Sequence, residues 1–258
     1  MIEMFTKEDF LKISEDVLNF YDDSVGMLKL EKDAMRKGFV LLNNDRNYFT
    51  FHTIRYLAKV ERVADIYTLS RAMFESVINM GLITKSLIDN DIERYQSFPF
   101  IESYKIYNHL KKIELENLSG ITSEEYEYLR KHRYKYEAKW NKLSTWSGNN
   151  LEQNVILVDK NYPATWGIQH FYEYLYCQVY RKGSQVVHSS FGGLMKGINI
   201  DELIQDDGEK VKVFIPDQEN LVFACFHSLF VFLSSMRFLG ISIGNKEFEI
   251  YNQKMMIT

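Results

Sequence analysis

The sequence predicts an all-α fold, a single-domain helical bundle of about seven to nine helices, and three observations predict it. Helix breakers are scarce: three prolines (Pro99, Pro163, Pro216) and 13 glycines in 258 residues. Apolar residues return at i, i+3, i+4 and i+7 over long stretches, the signature of buried helical stripes. No internal repeat, low-complexity run or Gly/Pro/Ser linker divides the chain. With 46% hydrophobic and 26% charged residues, the composition is that of a soluble protein able to bury a core. The expected organisation is one domain over 1–258, with N-terminal helices at 1–46, a core at 50–240 and a tail at 241–258.

Taken in order, Thr6 and Asp9 open a first helix whose stripe is Phe10, Ile13, Val17, Phe20 and Tyr21. A second helical stretch covers about 28–43 and ends at the polar break "NNDRN". A long pattern runs from Phe51 to about Leu87, with Val63, Ile66, Tyr67, Ser70, Phe74, Val77 and Gly81 on one face. "DNDIERYQSF" starts the next helix, which Pro99 is expected to break or kink. Thr122 and Glu125 form a capping box ahead of another. Residues 141–165 read as irregular; a helix then runs from about Thr165 to Ser190 and stops at Gly192. Alternating Val211, Val213 and Ile215 predict a short strand or hairpin near 205–216. Asp217 starts the last helix, which ends near Gly240. Its apolar run, 221–233, is short of the roughly 20 residues of a bilayer span and is interrupted by His227 and Ser228. It reads as a core helix, with no membrane partner.

The formal net charge of −4 argues against a protein that coats nucleic acid non-specifically, since that needs a large positive field. Cys177 and Cys225 stand alone, without zinc or disulfide spacing. The N-terminal residues carry no basic start followed by an apolar run, so a cytoplasmic location is expected. Phosphate-loop, dinucleotide, zincin and serine-hydrolase motifs are absent. The expectation is no cofactor and no metal, because the six histidines are scattered.

Three constellations can carry chemistry. In "YRKGSQVVHSS", Arg181, Ser184 and His188 lie at i, i+3 and i+7, on one helical face. His188 falls in the last turn, where the helix dipole favours its protonated form. A histidine beside an arginine suits proton transfer next to a phosphate; the alternative is a pair of satisfied hydrogen bonds and a solvated arginine. In "SRAMFESVIN", Arg71, Glu75 and Asn79 form one polar line on an otherwise apolar helix. That is either a structural network or the wall of a polar pocket, and a buried pair there would need full compensation. In "RKHRYKYEAKW", Arg130, Lys131, Arg133, Lys135 and Lys139 alternate with Tyr134, Tyr136 and Trp140. This is a candidate nucleic-acid patch, although acidic residues at the start and basic ones at the end of a helix also merely complement its dipole.

The order of "SRAMFES", "ERY", "TWSG" and then Tyr180, Ser184, Val187 and His188 in Y-x-x-x-S-x-x-V-H resembles a bacterial all-helical family, a domain of unknown function. The likeness covers roughly residues 50–240 and implies a signature of Arg71, Glu75, Trp146, Tyr180, Ser184 and His188. Ser189 stands where a proline or glycine is common. More remotely, Arg181 and His188 are similar to the R-x(4–6)-H pattern of the HEPN superfamily, whose active members are metal-independent endoribonucleases of toxin and phage-defence systems. Lys182 departs from the polar residue usual after that arginine. The resemblance implies RNA cleavage, with His188 as general acid/base and Arg181 or Arg71 on the phosphate. The competing expectation is a non-catalytic sensor or interaction module. Candidate partners are RNA or a nucleotide ligand, a protein of the same operon, and a second copy of the chain.

Overall fold

The computed structural model describes residues 5–25, 34–140, 144–162, 166–204, 210–248 and 251. In chain order the elements are α1 (Lys7–Val25), α2 (Ala34–Lys59), α3 (Val63–Thr84), α4 (Asp91–Lys112), α5 (Ser123–Trp140), α6 (Leu151–Asn161), α7 (Phe171–Leu175), α8 (Lys182–Val187) and α9 (Phe191–Leu194). The strands β1 (Ile198–Ile204) and β2 (Lys210–Pro216) and the helix α10 (Gln218–Ile243) follow. A π-helical turn, Tyr176–Arg181, joins α7 to α8. Counted as one helix, these leave nine α-helices among the described residues, an all-α bundle.

At the centre, α3, α10 and α2 pack against one another. One apolar cluster runs from Phe10 on α1 to Phe248 beyond α10. Phe51 stacks on Phe232, with ring centroids 4.5 Å apart, and so ties α2 to α10. The last helix begins where the sequence places it, with the Asp217 carboxylate accepting the Asn220 N–H at 3.0 Å. It is buried along most of its length as a core element. The capping boxes at Thr6/Asp9 and Thr122/Glu125 are both formed.

Several expected boundaries move. The "NNDRN" break does not exist: α2 runs through it, because Asn44 and Asn47 are buried and partnered. Asn47 donates to Ser235 Oγ at 2.9 Å, and Ser235 donates to Asn44 Oδ1 at 2.7 Å. The pattern from Phe51 to Leu87 is two helices, parted at Val60–Arg62. Glu61 takes the left-handed region there (φ 59°) and Arg62 N–H returns to Leu57 C=O at 2.9 Å. Pro99 neither breaks nor ends α4. It stands on the exposed side, where water can take the carbonyl it frees.

The stretch 141–165 contains α6, with a capping box between Asn150 and Gln153. The helix expected over 165–190 begins only at Phe171 and ends at Val187, short of Gly192. The hairpin starts earlier than 205, with Ile198 opposite Pro216 and Ile204 opposite Lys210. Its expected turn, the start of the stretch from 28, and the tail at 252–258 lie outside the described residues.

One strong ion pair was not anticipated. The buried Asp91, at the start of α4, accepts from the two terminal guanidinium nitrogens of Arg36 on α2, at 2.5 and 2.9 Å. The same guanidinium also donates to the Ile83 carbonyl of α3. A carboxylate this buried needs such a bidentate partner, and the pair clamps α2, α3 and α4 together.

Candidate functional site: a polar cleft between α2, α3, α4 and α8

The Arg71 line and the His188 helix do pack together. Gly183 makes this approach possible: a Cβ there would stand 2.7 Å from the Tyr67 carbonyl and 2.8 Å from Arg71 Cβ. The two polar lines are joined by a cation–π contact, with the Arg71 guanidinium 4.8 Å from the Tyr180 ring centre. Tyr180 stacks on Tyr176, with centroids 5.3 Å apart and planes 12° from parallel. Arg181 in turn lies 5.7 Å from the Tyr176 ring. Both tyrosines sit in the π-helical turn, a distortion often found at functional sites.

The spacing divides α8 into two sides. Tyr180, Gly183 and Val187 face α3 and the cleft. Arg181 and His188 are exposed, with Ser184 between them half-buried. His188 is the C-cap residue; its N–H bonds the Ser184 carbonyl at 2.9 Å. Ser189 follows in the left-handed region (φ 48°), and Ser190 N–H closes the end on the Gln185 carbonyl at 3.1 Å. The "HSS" stretch is thus a helix terminus, and His188 projects outside the cleft that Arg71 borders.

That cleft has a volume of about 400 Å³ and is bordered by α2 (Asn43, Arg46), α3 (Arg71, Glu75, Asn79 and neighbours), Tyr95 of α4 and Val187. Arg71 Nε lies 3.3 Å from Glu75 Oε1, the arginine largely buried and the glutamate 45% exposed. The pair is therefore not the fully desolvated one the sequence allows, and exposed pairs of this kind contribute at most about 1 kcal/mol. Trp146 lies behind the wall and donates from Nε1 to Asn79 Oδ1 at 3.0 Å. Indole N–H can only donate, so the Asn79 oxygen is fixed toward Trp146, and no hydrogen bond engages its Nδ2 among the described residues. Asn43 Oδ1 accepts from Ser76 at 3.1 Å and Tyr95 at 3.4 Å. Trp146 is held by a rigid turn in which Thr145 and Ser147 both donate to the Asn149 carbonyl.

Sequence reasoning singled out Arg71, Glu75, Asn79, Trp146 and Tyr180, and the structure brings them to one place. Tyr95 was visible as the last residue of the "ERY" motif but was given no site role; Asn43 and Arg46 were missed, since they come from α2 and stood in the sequence only as part of the "NNDRN" break. The candidate basic patch lies elsewhere, on α5. There Arg130 pairs with Glu127 at 2.8 Å, Arg133 with Glu137 at 2.8 Å and Lys139 with Glu93 at 2.5 Å, while Lys131 and Lys135 are exposed.

A second cluster also went unread: ligand atoms of Asp159, His170 and Glu173 lie within 4.8 Å of one another. An H-x-x-E spacing was its only sequence signal. Asp159 accepts the N–H groups of Tyr172 at 3.0 Å and Glu173 at 2.7 Å, capping α7 from outside. Burial pushes its carboxyl upward in pKa. The exposed His170 is raised by its 2.8 Å contact with Glu173. Both Asp159 oxygens are engaged by backbone, so the cluster serves first as the cap of α7.

A family of unknown function (DUF5677) matches residues 45–207, more than half of the chain. The chain belongs to that family. The DUF5677 segment reaches from the middle of α2 through β1, and every cleft residue named here except Asn43 falls within it. No curated protein and no solved structure matches the chain.

Proposed function

We propose that the cleft binds a small phosphate-bearing ligand of nucleotide type, so that the chain acts as a sensor or interaction module. The observation that carries this reading is the pairing of Arg46 and Arg71 in one cleft against a single glutamate, with the Asn79 amide hydrogens beside them. Two guanidiniums and one carboxylate leave a net positive charge. The fork of Arg71, steadied by the Tyr180 ring, is preorganised for phosphate. The volume falls in the range of small-molecule sites. The test is calorimetric titration with mononucleotides and with their nucleosides. Mononucleotides bind, nucleosides bind at least about 10-fold more weakly, and Arg71→Ala removes about the same factor, as loss of a charge-assisted hydrogen bond implies. Absence of binding by mononucleotides and inorganic phosphate alike at millimolar concentration overturns the reading.

A second, HEPN-like reading rests on one observation: Arg181 and His188 are exposed together on the solvent side of α8. In it His188 takes the 2′-hydroxyl proton of single-stranded RNA, and the 2′-oxygen bonds to phosphorus as the P–O5′ bond breaks. The 5′-oxygen leaves with a proton returned by His188 or water, and Arg181 steadies the phosphate. Cleavage then proceeds in EDTA, leaves 2′,3′-cyclic phosphate ends, spares DNA, and falls about 100-fold or more in His188→Ala. RNA left intact at high protein concentration removes this reading and leaves the first untouched.

A further inference from the structure

Many polar groups of the cleft wall are already engaged with the protein itself. Asn43 Nδ2 donates to the Phe39 carbonyl at 2.8 Å, and its Oδ1 accepts from Ser76 at 3.1 Å and from Tyr95 at 3.4 Å. The Thr68 hydroxyl donates to the Ala64 carbonyl at 3.0 Å. None of these three hydroxyl hydrogens is free, and Asn43 is held at both ends. What is left among the lining residues is a short set: the guanidiniums of Arg46 and Arg71, the Glu75 carboxylate and the Asn79 amide nitrogen. Glu75 is the one anionic acceptor in that set. The Asn79 oxygen is held by the Trp146 indole, which leaves this amide as a donor.

Arg71, Glu75 and Asn79 follow one another at successive turns on one face of α3, a line of about 12 Å at 1.5 Å per residue. Resting on the nucleotide reading above, we propose that the cleft selects guanine nucleotides. The Glu75 carboxylate accepts from N1–H and the 2-amino group, Asn79 Nδ2 donates to O6, and Arg46 and Arg71 hold the phosphate. Arg71 meets Glu75 through Nε, at 3.3 Å, so its two terminal nitrogens are left to the phosphate. The carboxylate keeps lone pairs on both oxygens for two donors. The order along the helix also agrees with the shape of the ligand. The 2-amino group lies on the sugar side of the base, so placing it at Glu75 and O6 at Asn79 carries the phosphate toward Arg71.

The other bases offer a different edge. Guanine presents two neighbouring N–H donors, which match the two oxygens of a carboxylate. Adenine has an amino donor beside the acceptor N1, cytosine has one amino donor and two acceptors, and uracil has a single N–H between two carbonyls. Each of these sets an acceptor against Glu75, and a site built to bond a donor rejects a ligand that lacks it.

The test is calorimetric titration of the full chain with guanosine, inosine, adenosine and uridine monophosphates and with inorganic phosphate. The guanosine form binds most tightly. The inosine form, which lacks the 2-amino group, binds about 10-fold more weakly, and the adenosine and uridine forms at least about 10-fold more weakly, as loss of a charge-assisted hydrogen bond implies. Glu75→Gln sets an amide N–H against one guanine donor and reduces the preference for guanosine over adenosine monophosphate at least about 10-fold. Glu75 is 45% exposed, so this exchange leaves the core intact. Equal affinity for the four mononucleotides overturns the selection of guanine while the phosphate-binding reading stands. Equal binding of the guanosine and inosine forms, or a guanine preference that survives Glu75→Gln, overturns the contact assigned to Glu75. Failure of every mononucleotide and of phosphate to bind overturns both readings together.

Discussion

His227 is fully buried in the core helix, and its surroundings fix both its charge and its tautomer. Its Nδ1 lies 2.6 Å from the Phe223 carbonyl, which can only accept, so Nδ1 carries the hydrogen. Nε2, 2.8 Å from the Tyr174 hydroxyl, is left to accept. Burial lowers the imidazole pKa from 6.5 to about 4, since a charged ring has no water there. The consequence for stability has a definite sign. Above pH 6.5 the ring is neutral in both folded and unfolded chains, and its contribution is constant. As the pH falls from 6.5 to 4 the unfolded chain binds a proton that the folded chain excludes, and stability drops by on the order of 3 kcal/mol. Denaturant unfolding at a series of pH values in that window should show a steeper loss for the unaltered chain than for His227→Gln. Parallel curves would mean that His227 does not titrate differently in the two states. From the sequence His227 was visible only as an interruption in an apolar run; nothing there marks Tyr174 as its partner. The same holds at the cleft. The Arg71 line was legible because it is local to one helix, whereas the outward direction of His188 depends on which side of α8 faces α3.

At the scale of elements, legibility follows the chemistry of helix ends. Three starts capped by side chains were readable, at Thr6, Thr122 and Asp217, whereas the Asn150–Gln153 box that opens α6 was hidden in a stretch rich in Asn, Ser and Gly. Several ends were not readable, because the chain closes them with residues that carry no stop signal. Glu61, Ser86, Glu114 and Ser189 all have positive φ, and each is followed by an N–H returning to a carbonyl five residues earlier. Glycine usually takes this place, as at the end of α10, where Gly244 has φ 70°. A non-glycine residue in that region costs about 1 kcal/mol. Ser86 is exposed, so Ser86→Gly should raise stability by about 0.5–1 kcal/mol, net of the extra freedom glycine gives the unfolded chain. A lowered denaturant midpoint would count against the cap. Gly183 predicts the opposite sign. Its missing Cβ is filled by the Tyr67 carbonyl and Arg71 Cβ, so Gly183→Ala must part α3 from α8, at a cost of about 1–3 kcal/mol. Because Tyr180 rides on the same helix, the variant should also weaken ligand binding in the cleft, whereas Ser86→Gly should not.

Over the whole molecule, the fold class was legible because the helices share one core, and apolar spacing reports a core directly. The DUF5677 match at 45–207 is not coextensive with that core. It stops before α10, yet α10 supplies Leu221, Val231, Phe232, Leu233, Met236, Phe238 and Leu239, each at most 1% exposed. Removing it would uncover the partner faces on α2 and α3, including Asn47, whose amide donates to Ser235. Seven large apolar side chains at about 2 kcal/mol each match the whole stability of an ordinary domain, about 5–15 kcal/mol. The segment 45–207 expressed alone should therefore keep helical dichroism while losing a cooperative thermal transition and gaining binding of a hydrophobic dye, the marks of lost tertiary packing. The full chain should melt in one transition. If the fragment instead unfolds cooperatively within a few degrees of the full chain, roughly the shift expected for about 1 kcal/mol, then the family segment holds its own core and α10 is an addition to it.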